Sequence, residues 1–387
     1  MSTTEPAAGS GNVLGEKDLK NLAIAEPAEV DSSSKASTTE DAKPVEESVP
    51  VPPTQSTGDP TKIPIAHPVA GAIPQTHATL TPEQEKKYND LLDTVSAWTE
   101  VPIISDRNAK KEPITDDDRM WLTRECLLRY LRATKWSPID APKRLLATLT
   151  WRREYGVLGF TPEYISPEQE TGKQVALGYD VEGRPCLYLD PSKQNTKPAD
   201  RQLHHLVYMM DRVIDLMGPG QETLALVINF AGPSGGGNPS VTQGKQTLNI
   251  LQNHYPERLG RALISKLPWF ISTFFKLISP FIDPVTREKM KFSEPLTNHV
   301  PTEQLWTNYG GTHEFTYDHS VYWPALNELC KTRRNEMKAR WEKAGKKVGE
   351  NEAYLRGGDV PSVGSINAGK ENQAPETTAP ADSSAVA

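Results

Sequence analysis

The sequence predicts an α/β fold: a mainly parallel sheet with crossover helices, preceded by a small helical unit and flanked by solvated tails. Three observations carry that expectation. Apolar residues between positions 81 and 157 recur at helical spacing. Beyond residue 170, short apolar runs alternate with amphipathic stretches in the order β-α-β-α-β-α-β. Both ends of the chain lack the aromatic residues from which a core is built.

The ends bound the rest. The chain has 387 residues, which suggests two or three domains. Residues 1–80 hold 5 Lys against 11 acids and no Arg, Trp, Tyr or Phe. Such a segment buries too little apolar surface to offset chain entropy, so it is expected to be a disordered acidic tail. Residues 357–387, with one Lys and four acids, read the same way. With the tails' −6 and −3 set apart from the chain's −7, residues 81–356 carry +2, so any basic site must come from local clustering. Three widely spaced cysteines, Cys126, Cys186 and Cys330, suit reduced thiols and neither a disulfide framework nor a zinc site. The N-terminus has no basic-then-apolar signal pattern, and the longest apolar run falls short of the roughly 20 residues that span a bilayer. A cytoplasmic monomer is expected, with no metal and no nucleic acid.

The elements follow in order. A helix begins near Thr81, with Pro82 first and Tyr88, Leu91, Leu92, Val95 and Trp98 on one face. Thr115 to Trp136 reads as a second helix, with three Asp in its first turn favoured by the helix dipole. A third starts around Pro138 to Asp140, carries Leu145, Leu146, Leu149 and Trp151, and ends at Gly156. "KQVALGYDVEGRPCLYLDP" is strand, turn, strand, bent at Glu182-Gly183. "DRQLHHLVYMMDRVIDLM" is an amphipathic helix stopped by Gly218-Pro219-Gly220. "TLALVINF" is apolar enough for a central strand. "SVTQGKQTLNILQNHYPERLG" is a helix with Leu248, Ile250 and Leu251 inward; "RALISKLP" and "KMKF" are short strands.

Two motifs point to enzymes, and both weaken on inspection. Gly232-x-Ser234-x-Gly236 follows a buried strand as a hydrolase nucleophile does, but four further loop residues separate it from any helix. His254, His299, His313 and His319 form no clear downstream acid–His partnership with it. The Gly237 to Lys245 spacing is too long for a phosphate loop, and Gln246 stands where a Ser or Thr would hold metal. Adjacent His204 and His205 point about 100° apart on a helix and cannot chelate together. No catalytic residue is assigned.

Phe270 to Ile282 is the strongest anomaly. These thirteen residues carry one charge, Lys276. On a helical wheel Ser272, Lys276 and Ser279 share a narrow stripe, and Phe270, Phe274, Phe275, Leu277, Ile278 and Phe281 fill much of the rest. One reading is a core helix apolar all round. The other is a helix that covers a lipid-sized cavity on one side and meets a bilayer on the other. Lys135, Glu257 and the "VTREK" run would suit a polyhydroxylated phosphate head, since Lys and Thr bind phosphate and Glu accepts from hydroxyls.

"LLRYLRATKW", "WRREYG", "DVEGRPCLYLDPSKQNTK", "HYPERLG", "PFIDPVTREK" and "YGG" at Tyr309–Gly311 together resemble the CRAL-TRIO family of lipid-exchange proteins. "SKQNTK", "VIDLM" and "VYWPAL" are similar to its fungal phosphatidylinositol transfer proteins of the pleiotropic-drug-resistance branch. The resemblance implies a CRAL-TRIO lipid-binding fold around an apolar cavity: helical region 81–158, lipid-binding domain 159–330, then a basic helix 331–356. It places Glu257, Lys289, Thr286 and Lys135 at the phosphatidylinositol head and makes Phe270–Ile282 the gate. It implies a non-enzymatic carrier without cofactor, cytoplasmic and transiently bound to phospholipid membranes of the endoplasmic reticulum, lipid droplets or plasma membrane. Presentation of the lipid to a lipid kinase is the alternative. Two positions depart from the family pattern. Thr134 stands where the family's founding member has an Arg, and Leu224 and Leu226 stand where that member has the hydroxyls that hold phosphatidylcholine. A choline phosphate beside Leu224, Leu226 and Ile228 would lose roughly 1–3 kcal/mol per unsatisfied group, so the second ligand is expected to be apolar, such as a sterol. Residues 331–347, with eight bases and two Glu, are either a solvated helix face or a contact for anionic lipid.

Overall fold

Thr81 opens the first helix in the computed structural model, which describes residues 59–197, 199–230, 241–266 and 284–365 (for 241–245 and 284–286 the backbone alone). Its hydroxyl accepts from the Gln84 N–H while the Gln84 side chain accepts from the Thr81 N–H, satisfying two orphan donors at once. Helix α1 (Pro82–Ser96) buries Tyr88, Leu91 and Val95. An antiparallel hairpin follows, β1 (Glu100–Pro102) with β2 (Lys111–Pro113). The stretch expected as one helix from Thr115 to Trp136 is two. Helix α2 (Asp116–Trp121) ends at Leu122, whose ψ of 60° leaves the helical path. Thr123 then caps α3 (Arg124–Ala133) by accepting from the Cys126 N–H. Helix α4 (Asp140–Glu154) completes a unit whose core is built from Leu122, Leu127, Leu131, Leu145 and Leu149.

After α5 (Pro162–Gln169) come β3 (Gln174–Tyr179), β4 (Pro185–Leu189), α6 (Asp200–Asp215), β5 (Leu224–Asn229), α7 (Val241–His254), β6 (Leu259–Ser265), α8 (Pro284–Lys289) and β7 (Met290–Phe292). Among the described residues these strands form one sheet in the order β3-β4-β5-β6-β7. The first pair is antiparallel and the other three are parallel, as the alternation predicts. Register sorts the side chains into two faces. Tyr188, Val227 and Leu263 share one face and join Val207, Met210 and Val213 of α6 in the main core. Leu187, Leu226 and Ala262 share the other, and Leu224 and Ile228 lie on the same face of β5 by alternation. Leu226 and Ile228 are only half-buried there.

Four expectations change. Leu248 is 57% exposed, because Ile250 turns inward and a residue two positions away lies about 200° round the helix. The tail expected to reach residue 80 is ordered against the body from residue 59: Ala66 accepts from the Tyr179 hydroxyl (2.8 Å), His67 from the Gln304 amide (3.2 Å), and Lys62 pairs with Asp318 (2.9 Å). These residues build no core of their own; they lend backbone carbonyls to buried donors. The boundary expected at 330/331 falls inside one continuous helix, α9 (His319–Lys343). Its arginines are engaged by the protein: Arg333 donates to the Leu216 carbonyl (2.6 Å), Arg340 to that of Leu355 (2.8 Å), and Arg334 faces Asp215 (3.7 Å), while Lys331 and Lys343 are exposed. At the other end the expected tail starts late, since the Val363 N–H donates to Glu350 (2.9 Å) past helix α10 (Glu352–Leu355). The expected gate with Phe270, Phe274, Phe275, Leu277, Ile278 and Phe281, and the loop holding Ser234, lie outside the described residues.

A register shift between Ala176 and Tyr179 marks a bulge in β3, and Gly178 takes it at a φ of 67°. A Cβ there would overlap the Gln304 carbonyl. Gly178→Ala is expected to cost about 2–3 kcal/mol, read as a lower midpoint in thermal unfolding.

Candidate functional site

Helix α3 ends in a turn whose geometry normally calls for glycine. The Trp136 N–H donates to the Leu131 carbonyl (2.7 Å) and the Lys135 N–H to that of Arg132 (3.0 Å). Lys135 has a φ of 53° and Trp136 one of 61°, a left-handed conformation costing each side chain roughly 1–2 kcal/mol. Lys135 is held exposed at this turn. The Thr134 hydroxyl donates to the Tyr130 carbonyl (2.8 Å), so it is tied to its own helix.

Glu257 belongs to the turn between α7 and β6, where it too is left-handed, at a φ of 59°. Tyr255, Pro256 and Arg258 around it are buried, while its own side chain is 37% exposed. Its carboxylate lies 4.0 Å from Arg132 Nε, on the last turn of α3. Strand β6 begins two residues later with Gly260 as an extra residue, since Leu224 pairs with Leu259 but Ala225 with Arg261. A Cβ at Gly260 would strike the Arg184 and Thr223 side chains.

Arg132 is the end of a chain of buried charges. Its Nη2 donates to Glu222 Oε2 (3.1 Å), which also accepts from Arg129 Nη1 (2.8 Å). Arg129 Nη2 donates to Glu352 Oε1 (2.6 Å), which accepts the Thr123 hydroxyl as well (2.6 Å). His77 pairs with the free oxygen of Glu222 (3.1 Å). Burial alone would raise the Glu222 pKa; His77, Arg129 and Arg132 more than reverse that and hold it at about 2 against an ordinary 4.5. Arg258 donates to the Glu222 carbonyl (2.9 Å), and burial among other guanidiniums lowers it to about 10.

Lys289 closes α8 immediately before β7, and Met290 pairs with Ala262, which puts Lys289 beside Arg261 at the amino end of β6. Arg261 itself is bound by Asp180 (3.3 Å) and Glu182 (2.7 Å) of the β3–β4 turn. Of the four expected head residues, the structure places Glu257 4.0 Å from Arg132, leaves Lys135 exposed at the end of the helix that carries Arg132, and sets Lys289 at the end of α8 beside Arg261. No contact links Lys289 to Glu257 among the described residues, and only the backbone of Thr286 is described. Arg132, Arg129 and Glu222 were not singled out from sequence. The signal was present: Arg129 and Arg132, three apart on an amphipathic helix, share a face.

The histidines considered earlier are dispersed. Buried His205 bonds Gln169 (2.7 Å), its pKa pushed down by burial to about 3, and His204 bonds the Tyr164 hydroxyl (2.8 Å). His254 stacks on Trp151 at 4.0 Å, His299 pairs with Glu294 (2.6 Å), His313 bonds Thr61 (3.1 Å) and His319 bonds Ser166 (2.7 Å). All three cysteines are buried. Among the described residues no group of three His, Cys, Asp or Glu converges as a metal site, and no helix is long and apolar enough to cross a membrane.

A helical unit joined by buried ion pairs to a largely parallel sheet, with Leu226 and Ile228 of β5 half-buried, has counterparts. Residues 169–311 match the CRAL/TRIO domain and residues 87–147 the CRAL/TRIO N-terminal domain, and the chain belongs to that family. Among particular proteins, it is 38% identical over 262 residues to the phosphatidylinositol transfer protein PDR17 of Saccharomyces cerevisiae, across 65% of this chain and 75% of that one. It is 53% identical over 297 residues to a CRAL-TRIO domain-containing protein of Schizosaccharomyces pombe, covering 76% of this chain but only 29% of that longer relative. The SEC14 cytosolic factor of Candida glabrata is 28% identical over 212 residues, 49% of this chain and 70% of that one.

Two outcomes follow from the geometry. The low pKa of Glu222 contributes stability that is present above 4.5 and lost as pH falls toward 2. Glu222→Gln is expected to cost about 3 kcal/mol at pH 7 and to flatten the acid limb of a denaturant-midpoint-versus-pH curve. Lys135→Gly, by relieving the left-handed lysine, is expected to raise stability by about 1 kcal/mol in chemical denaturation.

Proposed function

We propose that this chain is a carrier that extracts phosphatidylinositol from one membrane and delivers it to another in exchange for a second, apolar lipid. No covalent bond changes. The observation that supports the reading is an apolar face on β5, where Leu226 and Ile228 are half-buried, together with an amino-edge turn that holds Glu257 left-handed near Arg132. The relative called a phosphatidylinositol transfer protein supports it. Glu257 accepts from inositol hydroxyls, while Lys289, Thr286 and Lys135 neutralise and bond the phosphate. Acyl chains lie on the apolar face, where each buried CH₂ returns about 0.8 kcal/mol against leaving the bilayer. In this reading the Phe270–Ile282 segment is the gate. Leu224 and Leu226 offer a choline phosphate no hydrogen bond, which favours an apolar second ligand such as a sterol. The carrier is cytoplasmic and meets membranes transiently.

Vesicle-to-vesicle transfer is the test. Glu257→Lys and Lys289→Glu are each expected to abolish phosphatidylinositol transfer, with circular dichroism and thermal midpoints reporting intact protein. Phosphatidylcholine is expected to be neither transferred efficiently nor found by mass spectrometry among co-purifying lipids. Folded variants that still transfer would overturn the head site, and efficient phosphatidylcholine transfer would overturn the role given to Leu224 and Leu226.

A further inference from the structure

The head site just proposed has a component that neither its motifs nor the relatives assign. Glu257 is the exposed end of an otherwise buried series of charges running from Glu352 on α10 through Arg129, Glu222 and Arg132. The links measure 2.6, 2.8, 3.1 and 4.0 Å in that order. Glu222 is pinned from three sides, by Arg129, Arg132 and His77. Arg132 is therefore a fixed charge, with one edge of its fork spent on Glu222. Its Nε is buried and donates no hydrogen bond among the described residues, and the Glu257 carboxylate lies 4.0 Å away. Buried guanidinium nitrogens seldom go unpaired, so Arg132 Nε, like Arg356 Nε, is a donor still to be satisfied, and the Glu257 carboxylate is within reach of a small side-chain movement.

We propose that Arg132 is the positioning residue of the headgroup site: it holds the Glu257 carboxylate over the place of the inositol ring and closes onto it when the lipid is bound. This role of Arg132 rests on the reading of Glu257 as a head residue and goes beyond it. A flexible glutamate at a surface turn would spend side-chain entropy on each hydroxyl it accepts from. One biased by a fixed guanidinium has lost part of that freedom before the lipid arrives. Lysine could not serve in the same way, since only a planar fork addresses two carboxylates from different directions. Thr134, whose hydroxyl is turned back onto its helix, leaves Arg132 as the cation of this turn nearest Glu257. Arg132 acts through Glu257, so its effect on phosphatidylinositol must vanish when Glu257 can no longer be positioned.

A double-mutant cycle on the full chain reads this. The variants are Arg132→Gln, Glu257→Gln and the pair, with Arg132→Lys as the milder change should Arg132→Gln fail to fold. The probe is uptake of labelled phosphatidylinositol from phosphatidylcholine vesicles, over a range that resolves a roughly hundred-fold loss, beside thermal midpoints. Each single variant is expected to lose roughly ten-fold, and the pair no more than the larger single loss. Losses that multiply in the pair, or an Arg132 variant that takes up lipid like the parent, would overturn the proposal. If Glu257→Gln alone leaves uptake unchanged, the head-site reading itself fails and this inference falls with it.

Discussion

Arg129 is buried to 3% exposure between two carboxylates, and the joining of the three parts of this protein depends on it. A guanidinium cannot shed its proton to escape the cost of burial, so the fold has to bring an acid to each arm of its fork. Glu222 comes from the loop that leads into β5 and Glu352 from the segment after the long basic helix. The arginine sits on α3 of the helical unit. One side chain thus ties helical unit, sheet and C-terminal segment together. Isolated, such a buried pair is weak evidence of stability, because desolvation consumes much of the attraction. Its structural meaning lies in direction: removing any one member takes a buried ion pair from each of its partners, so the three parts are constrained to dock in one arrangement.

The sheet divides its labour between faces, and its register shows how. Core-facing positions of β4, β5 and β6 are filled by Tyr188, Val227 and Leu263, which pack against α6. The positions between them carry Leu187, Leu226 and Ala262, apolar yet less completely covered on β5. A strand apolar on both faces is ordinarily one that helices cover on both sides. The amino edge of the sheet is rich in paired charges: Asp180, Glu182 and Arg184 of the β3–β4 turn, Arg261 of β6, and Glu222 with its arginines before β5. A surface that is greasy along its length and polar at one end has the shape of an amphiphile's complement.

Much of this was legible in the sequence. Periodicity gave the helices, apolar runs gave the strands, and the alternation gave the parallel order from β4 onward. The misses have physical causes. Thr123 reads as a residue inside a helix until its cap on Cys126 and its bond to Glu352 are seen, and the second partner is 229 residues away. Residues 59–80 lack the composition of a core, but composition is blind to a segment that contributes backbone carbonyls to someone else's donors. Glu257 and Lys135 were legible as residue types that suit a sugar phosphate; their left-handed backbone was not. Arg132 was missed because a basic residue on a helix is most often solvated, and only the fold brings Glu222 beneath it.

The placement of charge also fits a protein that must let go of membranes. Residues 81–356 carry a net +2, yet eight bases crowd into residues 331–347. Left open to solvent, such a cluster would draw the protein to anionic lipid at about 1 kcal/mol for each base near the surface, and a carrier held that firmly would return slowly to solution. Instead Arg333 and Arg340 donate to backbone carbonyls, and Arg334, Lys338 and Lys346 face Asp215, Asp117 and Asp116. The basic run thereby becomes a clasp across the body. Of the eight bases, Lys331, Lys343 and Lys347 stay exposed to solvent, so the draw of the run on anionic lipid is reduced and not spread over all eight.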